Sequence, residues 1–163
     1  MATKTGQLQI RVTSKQKAAI KRLARREGRS VSSYVLSRVL PDERVRFSGI
    51  LRSLREESER RFALAELNDF LAGLGPSEFR DAVGDAEIEA LTPLTANYVA
   101  AMVEQAAYRL GVDPPDWTSG VEPLEKPHFA VPFRGLRLHL LRTAPVAFKR
   151  RNIFVDSSVG DRV

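Results

Sequence analysis

Gln7-Leu-Gln-Ile-Arg-Val-Thr13 alternates polar and apolar side chains, and this stretch decides the fold of the first part of the chain. A period of two is typical of a β-strand, in which successive side chains point to opposite faces. One face of the predicted strand carries the apolar side chains, which are Leu8, Ile10 and Val12. The other face carries hydrogen-bonding side chains, which are Gln7, Gln9 and Arg11.

Two helices separated by a tight turn are predicted to follow this strand. Thr13 and Gln16 have the spacing of a capping box, which begins the first helix. Gly28 suits the left-handed backbone position that ends a helix, and Ser30 suits the N-cap of the second helix. The helices add further apolar side chains to the predicted core, which are Ile20, Leu23, Tyr34 and Val35.

A single strand cannot satisfy the hydrogen bonds of its own backbone. The simplest solution is antiparallel pairing with the same strand of a second copy across a two-fold axis, so a homodimer is expected. The apolar side chains of the strand and the helices would form the core of this dimer. A two-stranded ribbon fits the major groove of DNA, where Gln7, Gln9 and Arg11 would contact base edges.

Leu8-Gln-Ile-Arg-Val-Thr13 followed by Arg26-Glu-Gly-Arg-Ser-Val-Ser-Ser-Tyr-Val35 resembles the ribbon–helix–helix proteins, the superfamily of the Arc and methionine repressors. The resemblance implies a dimeric DNA-binding domain of one strand and two helices, here residues 1–41. It also implies that the N-terminus of the second helix binds a DNA phosphate. The matching positions are Ser30, Val31 and Ser32, and a helix N-terminus suits that role physically.

Charge is unevenly distributed along the chain, although the formal net charge is only +6. Residues 1–40 hold ten basic side chains and one acid, which is typical of a nucleic-acid contact. Lys17 and Lys21 lie on the solvated side of the first predicted helix, and we expect them to contact phosphates. Residues 41–125 hold eight basic and seventeen acidic side chains, and residues 126–163 hold eight basic and two acidic ones.

Residues 42–163 are predicted to form a second, α-helical domain that binds a toxin or another effector. Apolar stripes within 47–54 and 64–74 indicate helices, and the polar run between them is either an exposed turn or a break. The acidic middle is either a plain helical domain or a surface that mimics nucleic acid or covers a basic toxin site. No nucleophile, phosphate loop or metal spacing accompanies its carboxylates, so we expect that the protein is not an enzyme.

A turn-rich segment, residues 113–133, connects the acidic middle to a basic C-terminal tail. Leucines within 136–141 fit either a strand or a helix, and a helix is the interpretation preferred here. The last part of the tail packs onto its own domain, docks a partner, or binds nucleic acid directly, and these alternatives stay open. Its candidate partner-binding residues are Phe148, Lys149, Arg150, Arg151, Ile153, Phe154 and Val155.

The ending Ala144-Pro-Val-Ala-Phe-Lys-Arg-Arg-Asn-Ile-Phe-Val155 is similar to the C-terminal segment of some bacterial antitoxins, whose neighbouring genes encode nucleotidyltransferase-like toxins. The two resemblances imply a type II antitoxin that binds operator DNA through its ribbon and a toxin through residues beyond 41. Higher-order assembly of its dimers on DNA is left open. One alternative is a stand-alone ribbon–helix–helix repressor with a ligand-sensing C-terminal domain. Another is a nucleic-acid-processing enzyme that uses the middle carboxylates.

Composition excludes several kinds of site. Cysteine is absent, which removes disulfides, cysteine-based zinc sites, iron–sulfur clusters and thiol catalysis. The only histidines, His128 and His139, are eleven residues apart, so neither a metal nor a cofactor is expected. The polar start and the lack of a long apolar stretch predict a cytoplasmic protein with no signal peptide, transmembrane helix or membrane partner.

Overall fold

The computed structural model describes residues 9–39 and 42–156, so Gln7 and Leu8 of the predicted strand lie outside the described residues. The chain divides into two units, Met1–Asp42 and Glu43–Val163, which we call unit 1 and unit 2. This division lies one residue from the boundary that the sequence predicts. The described residues are mainly helical, as the apolar stripes indicate.

The described part of unit 1 contains two helices, α1 (Ser14–Arg26) and α2 (Val31–Val39). The predicted capping box begins α1. The Thr13 hydroxyl accepts a hydrogen bond from the Gln16 backbone N–H at 3.3 Å, and the Gln16 side-chain oxygen accepts one from the Thr13 N–H at 2.9 Å. Two otherwise unpaired donors at the helix start are thereby satisfied, so the local sequence signal for α1 is confirmed.

The turn between the two helices also follows its sequence signals. Gly28 has a φ of +65°, a left-handed conformation that glycine adopts without the steric penalty of a Cβ atom. The Ser30 hydroxyl accepts a hydrogen bond from the Ser33 backbone N–H at 3.1 Å. The predicted turn and the predicted cap of α2 are therefore both confirmed.

Residues 9–13 lie outside any helix or strand within the chain. Thr13 has an extended backbone, with φ −68° and ψ 159°. A ribbon strand takes its ladder hydrogen bonds from a second chain, so an isolated chain has no partner with which to form the ladder. The strand and its pairing therefore stay predictions.

Helices and turns make up most of the described part of unit 2, with one short parallel ladder. A single turn of 3₁₀ helix, Arg134–Leu136, leads into the eighth helix, so the helix preferred for 136–141 is confirmed. The helices are α3 (Glu43–Ser53), α4 (Arg60–Gly73), α5 (Pro76–Val83), α6 (Pro93–Leu110), α7 (Asp116–Ser119), α8 (Arg137–Thr143) and α9 (Val146–Lys149). The two strands are β1 (His128–Phe129) and β2 (Ile153–Phe154).

Helix α6 is the centre of unit 2 and contacts α4, α5, α7 and α9. The Thr92 hydroxyl caps its start, and Gly111 ends it at a φ of +66°. Much of the helix surface consists of buried alanines, whose small side chains let neighbouring helices approach closely. These alanines are Ala96, Ala100, Ala101, Ala106 and Ala107. The largest fully buried side chains of unit 2 are Phe47, Phe70, Phe79, Phe148, Leu51, Leu54, Leu67 and Ile153.

The polar run between α3 and α4 is a break in the helix. Residues 54–59 form turns, and Leu54 closes the apolar stripe of α3 at 1% exposure. The Arg55 guanidinium donates to a Glu87 carboxylate oxygen at 3.2 Å, which ties this turn to the segment after α5. The break therefore lets α4 fold back onto α3, and the two rings of Phe47 and Phe70 stack between them.

The C-terminal segment returns to the turn-rich segment and pairs with it. Strands β1 and β2 are parallel, with His128 opposite Ile153 and Phe129 opposite Phe154. The rings of Phe129 and Phe154 stack with their centroids 5.0 Å apart. This ladder leaves no signal in the sequence, because a two-residue strand is too short to produce a periodic pattern.

His128 is expected to make unit 2 less stable at mildly acidic pH. Its ring lies edge-on to Tyr98 with centroids 5.9 Å apart, and burial lowers the pKa of His128 below its usual 6.5. The unfolded chain then binds this proton more readily than the folded chain, so the free energy of unfolding falls as the pH drops below about 6.5. Denaturant titrations of wild type and His128→Gln between about pH 5 and 8 should give curves that diverge on the acid side. Parallel curves would contradict the prediction.

Candidate functional site

The polar side of the predicted ribbon is accessible where the structure describes it. Gln9 and Arg11 are exposed, and Gln7 lies outside the described residues. Lys17 and Lys21 are exposed on α1, which begins directly after this segment. A concentration of exposed positive charge on so short a stretch suits a polyanion such as a nucleic-acid backbone.

The apolar side chains predicted to form a dimer core are uncovered in the single chain. The most exposed of them are Ile10 at 61%, Val12 at 43% and Leu23 at 38%. Those that are half-buried are Ile20, Tyr34 and Val35, and Leu8 lies outside the described residues. Among the side chains of unit 1 that the structure describes, Ala24 alone is buried. A unit of about 40 residues with so little core normally needs oligomerisation to fold stably.

The N-terminus of α2 presents the predicted phosphate site. Ser30, Val31 and Ser32 are all exposed at the start of this nine-residue helix. The backbone N–H groups of Val31 and Ser32 belong to the first helical turn, where a helix offers them no acceptor of its own. An oxyanion placed there would accept from these donors and meet the positive end of the helix dipole.

An ion pair that sequence analysis misses closes the hairpin of unit 1. The Arg38 guanidinium donates to a Glu27 carboxylate oxygen at 2.7 Å, and this contact raises the pKa of Arg38 above its ordinary value. Glu27 is the only acid among residues 1–40. Its pairing with Arg38 links the end of α1 to the last turn of α2, and eleven residues of separation leave no sequence signal for it.

Four of the seven candidate partner-binding residues of the C-terminal tail are buried within unit 2. Phe148, Ile153 and Val155 are at most 1% exposed and belong to the core of unit 2. Arg151 is 5% exposed. These four side chains face their own domain. The tail is largely apolar and lies beside α6, so packing against that helix removes apolar surface from water and lowers the free energy of the folded state. The others are more accessible: Lys149 and Phe154 are half-buried, and Arg150 is exposed.

Arg151 is held by a network of acceptors that lie far away in the sequence. Its Nη2 donates to a Glu104 carboxylate oxygen and, at 2.7 Å, to the Thr118 carbonyl. Its Nη1 donates to the Val121 carbonyl at 3.1 Å and lies 3.4 Å from the Asn97 side-chain oxygen. The network joins α6, α7 and the tail, so Arg151 has a structural role in unit 2. In the sequence it is indistinguishable from the neighbouring basic residues.

A groove of about 760 Å³ lies beside this network in unit 2. Its apolar walls come from Tyr108, Val112, Val146 and three prolines, which are Pro114, Pro115 and Pro145. Its polar lining comes from Glu104, Gln105, Asp116, Thr118, Ser119 and Arg150. A concave, partly apolar surface with a few charged groups at its rim can hold a small molecule or a side chain of a partner.

The carboxylates of the acidic middle do not assemble into a metal site. Within the described residues no group of three or more His, Asp or Glu side chains could hold a metal ion. Several of these carboxylates pair with arginines, and two of the exposed pairs join residues far apart in the sequence: Asp85 with Arg44 at 2.9 Å, and Glu87 with Arg55 at 3.2 Å. These contacts link separate segments of unit 2 at its exposed surface.

One family model matches this chain. It is described as Antitoxin TacA 1-like, and it matches residues 7–44. No curated protein and no solved structure gives a significant match. Within the described residues, no helix is long and apolar enough to cross a membrane.

The matched range, residues 7–44, covers most of unit 1. It contains the capping box of α1, the Gly28 turn, the exposed start of α2 and the exposed side chains Gln9 and Arg11. The match therefore supports an antitoxin role, and with it a cognate toxin as partner. Residues 45–163 lie outside the match.

Proposed function

We propose that this protein is the antitoxin of a type II toxin–antitoxin system, with a dimeric ribbon–helix–helix module in unit 1 and a toxin-binding domain in unit 2. The observation that carries the proposal is the antitoxin family match over 7–44, the same residues that leave an apolar face uncovered. The proposed activity is binding and not catalysis, so the protein would act on the toxin by covering its active site or excluding its substrate.

Dimerisation explains why the apolar side of unit 1 is exposed in one chain. Two copies would pair their residues 7–12 as an antiparallel ribbon and bury Ile10, Val12 and Leu23 against each other. Such burial supplies roughly 1.5–3 kcal/mol for each large aliphatic side chain. The same pairing would satisfy the backbone of residues 9–12, which is outside any ladder in the single chain.

Operator binding follows from the two faces of this ribbon. With the apolar side turned to the dimer core, Gln7, Gln9 and Arg11 would face the major groove and read base edges. The start of α2 at Ser30–Ser32 and the exposed lysines of α1 would contact phosphates on either side. This division of roles is supported by the exposure of Gln9, Arg11 and the start of α2 and by the positive charge of residues 1–40.

A ligand-sensing repressor is the second candidate, and the groove of unit 2 favours it. The groove has the size range of small-molecule sites and carries both acidic and basic side chains. In that case the ligand would change the affinity of unit 1 for its operator, with no toxin involved. The two functions can be told apart by one property: an antitoxin neutralises a partner protein, whereas the repressor has no such partner.

The deciding experiment is co-expression with the reading frame next to this gene. We expect that neighbour to arrest growth when expressed alone, to be harmless when this chain is co-expressed, and to co-purify with the full-length protein. A harmless neighbour that does not co-purify would overturn the antitoxin proposal and leave the repressor. The notion of a nucleotidyltransferase-like toxin would be tested by assaying nucleotide transfer with the purified neighbour.

Arg11→Ala is expected to weaken operator binding by about 1–3 kcal/mol, and mainly at one base pair. Arg11 is exposed, so its removal should leave the folding of unit 1 unchanged. Binding of wild type and variant to a set of single-base operator variants measures the effect as a loss of discrimination at one position. Unchanged affinity for the intact operator would contradict the ribbon assignment.

Lys21→Ala is the matched comparison, because Lys21 is also exposed and basic but lies on α1. A phosphate contact should weaken binding to all sequences alike and reduce the dependence of log Kd on log salt by about one unit. A loss that varied with sequence would assign base reading to Lys21 and contradict its proposed role.

A further inference from the structure

The C-terminal part of unit 2 combines positive charge with exposed apolar side chains. Residues 126–155 contain seven basic side chains and no acid, whereas the rest of unit 2 is strongly acidic. Among the described residues of unit 2, five of the eight exposed large apolar side chains lie between residues 133 and 146. They are Phe133, Leu136, Leu138, Leu141 and Val146. Water-exposed leucines concentrated in one basic segment indicate a contact surface, since monomers seldom expose such patches without a partner.

Helix α8 shows how this surface is arranged. Leu140 is buried at 3% exposure and anchors the helix to unit 2. At 100° per residue, Leu138 and Leu141 then lie on the side that faces away from the domain, with 68% and 43% exposure. Arg142, four residues after Leu138, is exposed on the same side of α8, and Arg134 is exposed in the 3₁₀ turn that precedes the helix. The outward side of α8 is thus an apolar strip flanked by guanidinium groups.

The strip continues toward the groove of unit 2. The Lys149 Nζ donates to the Arg142 carbonyl at 2.9 Å, which fixes the end of α9 against the end of α8. Val146 on α9 is exposed and lines the groove, as does Arg150. We call the exposed side chains of these two linked helices and of the preceding 3₁₀ turn the α8–α9 face, formed by Arg134, Leu138, Leu141, Arg142, Val146 and Arg150.

We propose that the α8–α9 face binds the cognate toxin, and that the toxin presents to it an acidic surface with an apolar side chain at its centre. The inference rests on the proposed antitoxin function and names the surface that performs it. Carboxylates of the toxin would pair with Arg134, Arg142 and Arg150 around the desolvated leucines. Arginine is enriched in protein–protein interfaces and in their hot spots, and the leucines would add apolar contact area between the arginines.

A protein fits this face better than a nucleic acid does. A phosphate backbone would satisfy the arginines but leave Leu138 and Leu141 without an apolar contact. A duplex would also need a strand or helix that enters a groove, whereas α8 presents two leucines where base-reading polar side chains would be required. The positive charge and the exposed leucines together therefore favour an acidic protein surface as the partner. Binding of nucleic acid to this face is the alternative that the experiment below can detect.

The test compares two paired substitutions in the full-length protein. Leu141→Ser with Arg142→Glu removes one leucine and one arginine from the α8–α9 face. Arg61→Glu with Phe62→Ser makes the same kinds of change at an exposed pair on α4, where Phe62 is 79% exposed. Affinity for the purified neighbour protein and for a random DNA duplex is measured for wild type and both variants, together with thermal unfolding.

We expect the α8 variant to bind the neighbour protein at least tenfold more weakly, while the α4 variant binds as wild type does. Equal binding by all three proteins would overturn the inference and leave the antitoxin function standing, because the toxin would then dock elsewhere. Equal loss in both variants, or a loss of duplex binding alone in the α8 variant, would also overturn it. If wild type itself fails to bind the neighbour, the proposed function fails and the inference fails with it.

Discussion

Arg151→Ala is expected to lower the free energy of unfolding of unit 2 by about 3–5 kcal/mol, the range found when one partner of a buried ion pair is removed. Arg151 donates to Glu104, to two backbone carbonyls and toward Asn97 from a site that is 5% exposed. The alanine variant would leave the Glu104 carboxylate, itself largely buried, without its counter-charge. It would also leave the carbonyl oxygens of Thr118 and Val121 without this donor.

The neighbouring arginine provides the control for this prediction. Arg150→Ala changes the same residue type one position away, where the side chain is exposed, and should change the free energy of unfolding by no more than about 0.5 kcal/mol. Urea unfolding followed by Trp117 fluorescence reports on unit 2, since Trp117 is the only tryptophan and donates to the Val83 carbonyl at 2.8 Å. Equal midpoints for the two variants would mean that the Arg151 network contributes nothing beyond a surface charge.

Glu104→Gln separates the charge of the ion pair from its hydrogen bond. The glutamine keeps an acceptor oxygen for Arg151 but leaves the buried guanidinium without a counter-ion. We expect an intermediate loss of stability, because a hydrogen bond to a charged group retains part of the interaction. A loss as large as that of Arg151→Ala would show that charge neutralisation alone stabilises this site.

Ile10→Asp is expected to convert the dimer into a monomer and to abolish operator binding. Each dimer would place two aspartates in the proposed core and lose two buried isoleucines, a cost of at least about 3 kcal/mol before the carboxylates are counted. Association would therefore weaken by more than about 100-fold. Because Ile10 is 61% exposed in the single chain, the substitution removes little packing within one chain, and its effect should come through the loss of the proposed dimer.

Molar mass by light scattering and operator binding by fluorescence anisotropy check this prediction. Phe62→Asp is the control, since it introduces the same charge at an exposed apolar residue of unit 2 and should leave both the dimer and DNA binding unchanged. A dimer that persists in Ile10→Asp, with operator affinity retained, would refute the ribbon as the dimer interface.

The hairpin of unit 1 could be predicted from the sequence because its signals are local. These signals are the Thr13–Gln16 capping box, the Gly28 turn and the Ser30 cap. Each depends on hydrogen bonds or backbone angles of residues at most a few positions apart, so it does not depend on the rest of the fold. The exposed Gln9 and Arg11 also lie where that interpretation expects them. Ribbon pairing and DNA contact involve molecules outside the chain and stay predictions.

The C-terminal tail shows what the sequence leaves undecided. Lys149-Arg150-Arg151 is three consecutive basic residues, yet Arg150 lines an open groove and Arg151 lies in a buried network. The acceptors of Arg151 are 30 to 54 residues away along the chain. Periodicity along the sequence does not reveal contacts over such distances, so the sequence left open whether the tail packs onto its own domain, and the structure shows that Arg151 does.

The sequence by itself determined the two helices of unit 1, the helical character of unit 2 and the separation of basic and acidic segments. Tertiary structure alone decided which end of the basic tail is buried, how β1 and β2 pair, and that the α8–α9 face remains open to solvent. The physical reason is the distance along the chain over which each interaction acts. Caps and turns are stabilised by residues that are neighbours in the sequence. Burial of a side chain depends instead on which distant segment packs over it when the core around α6 forms.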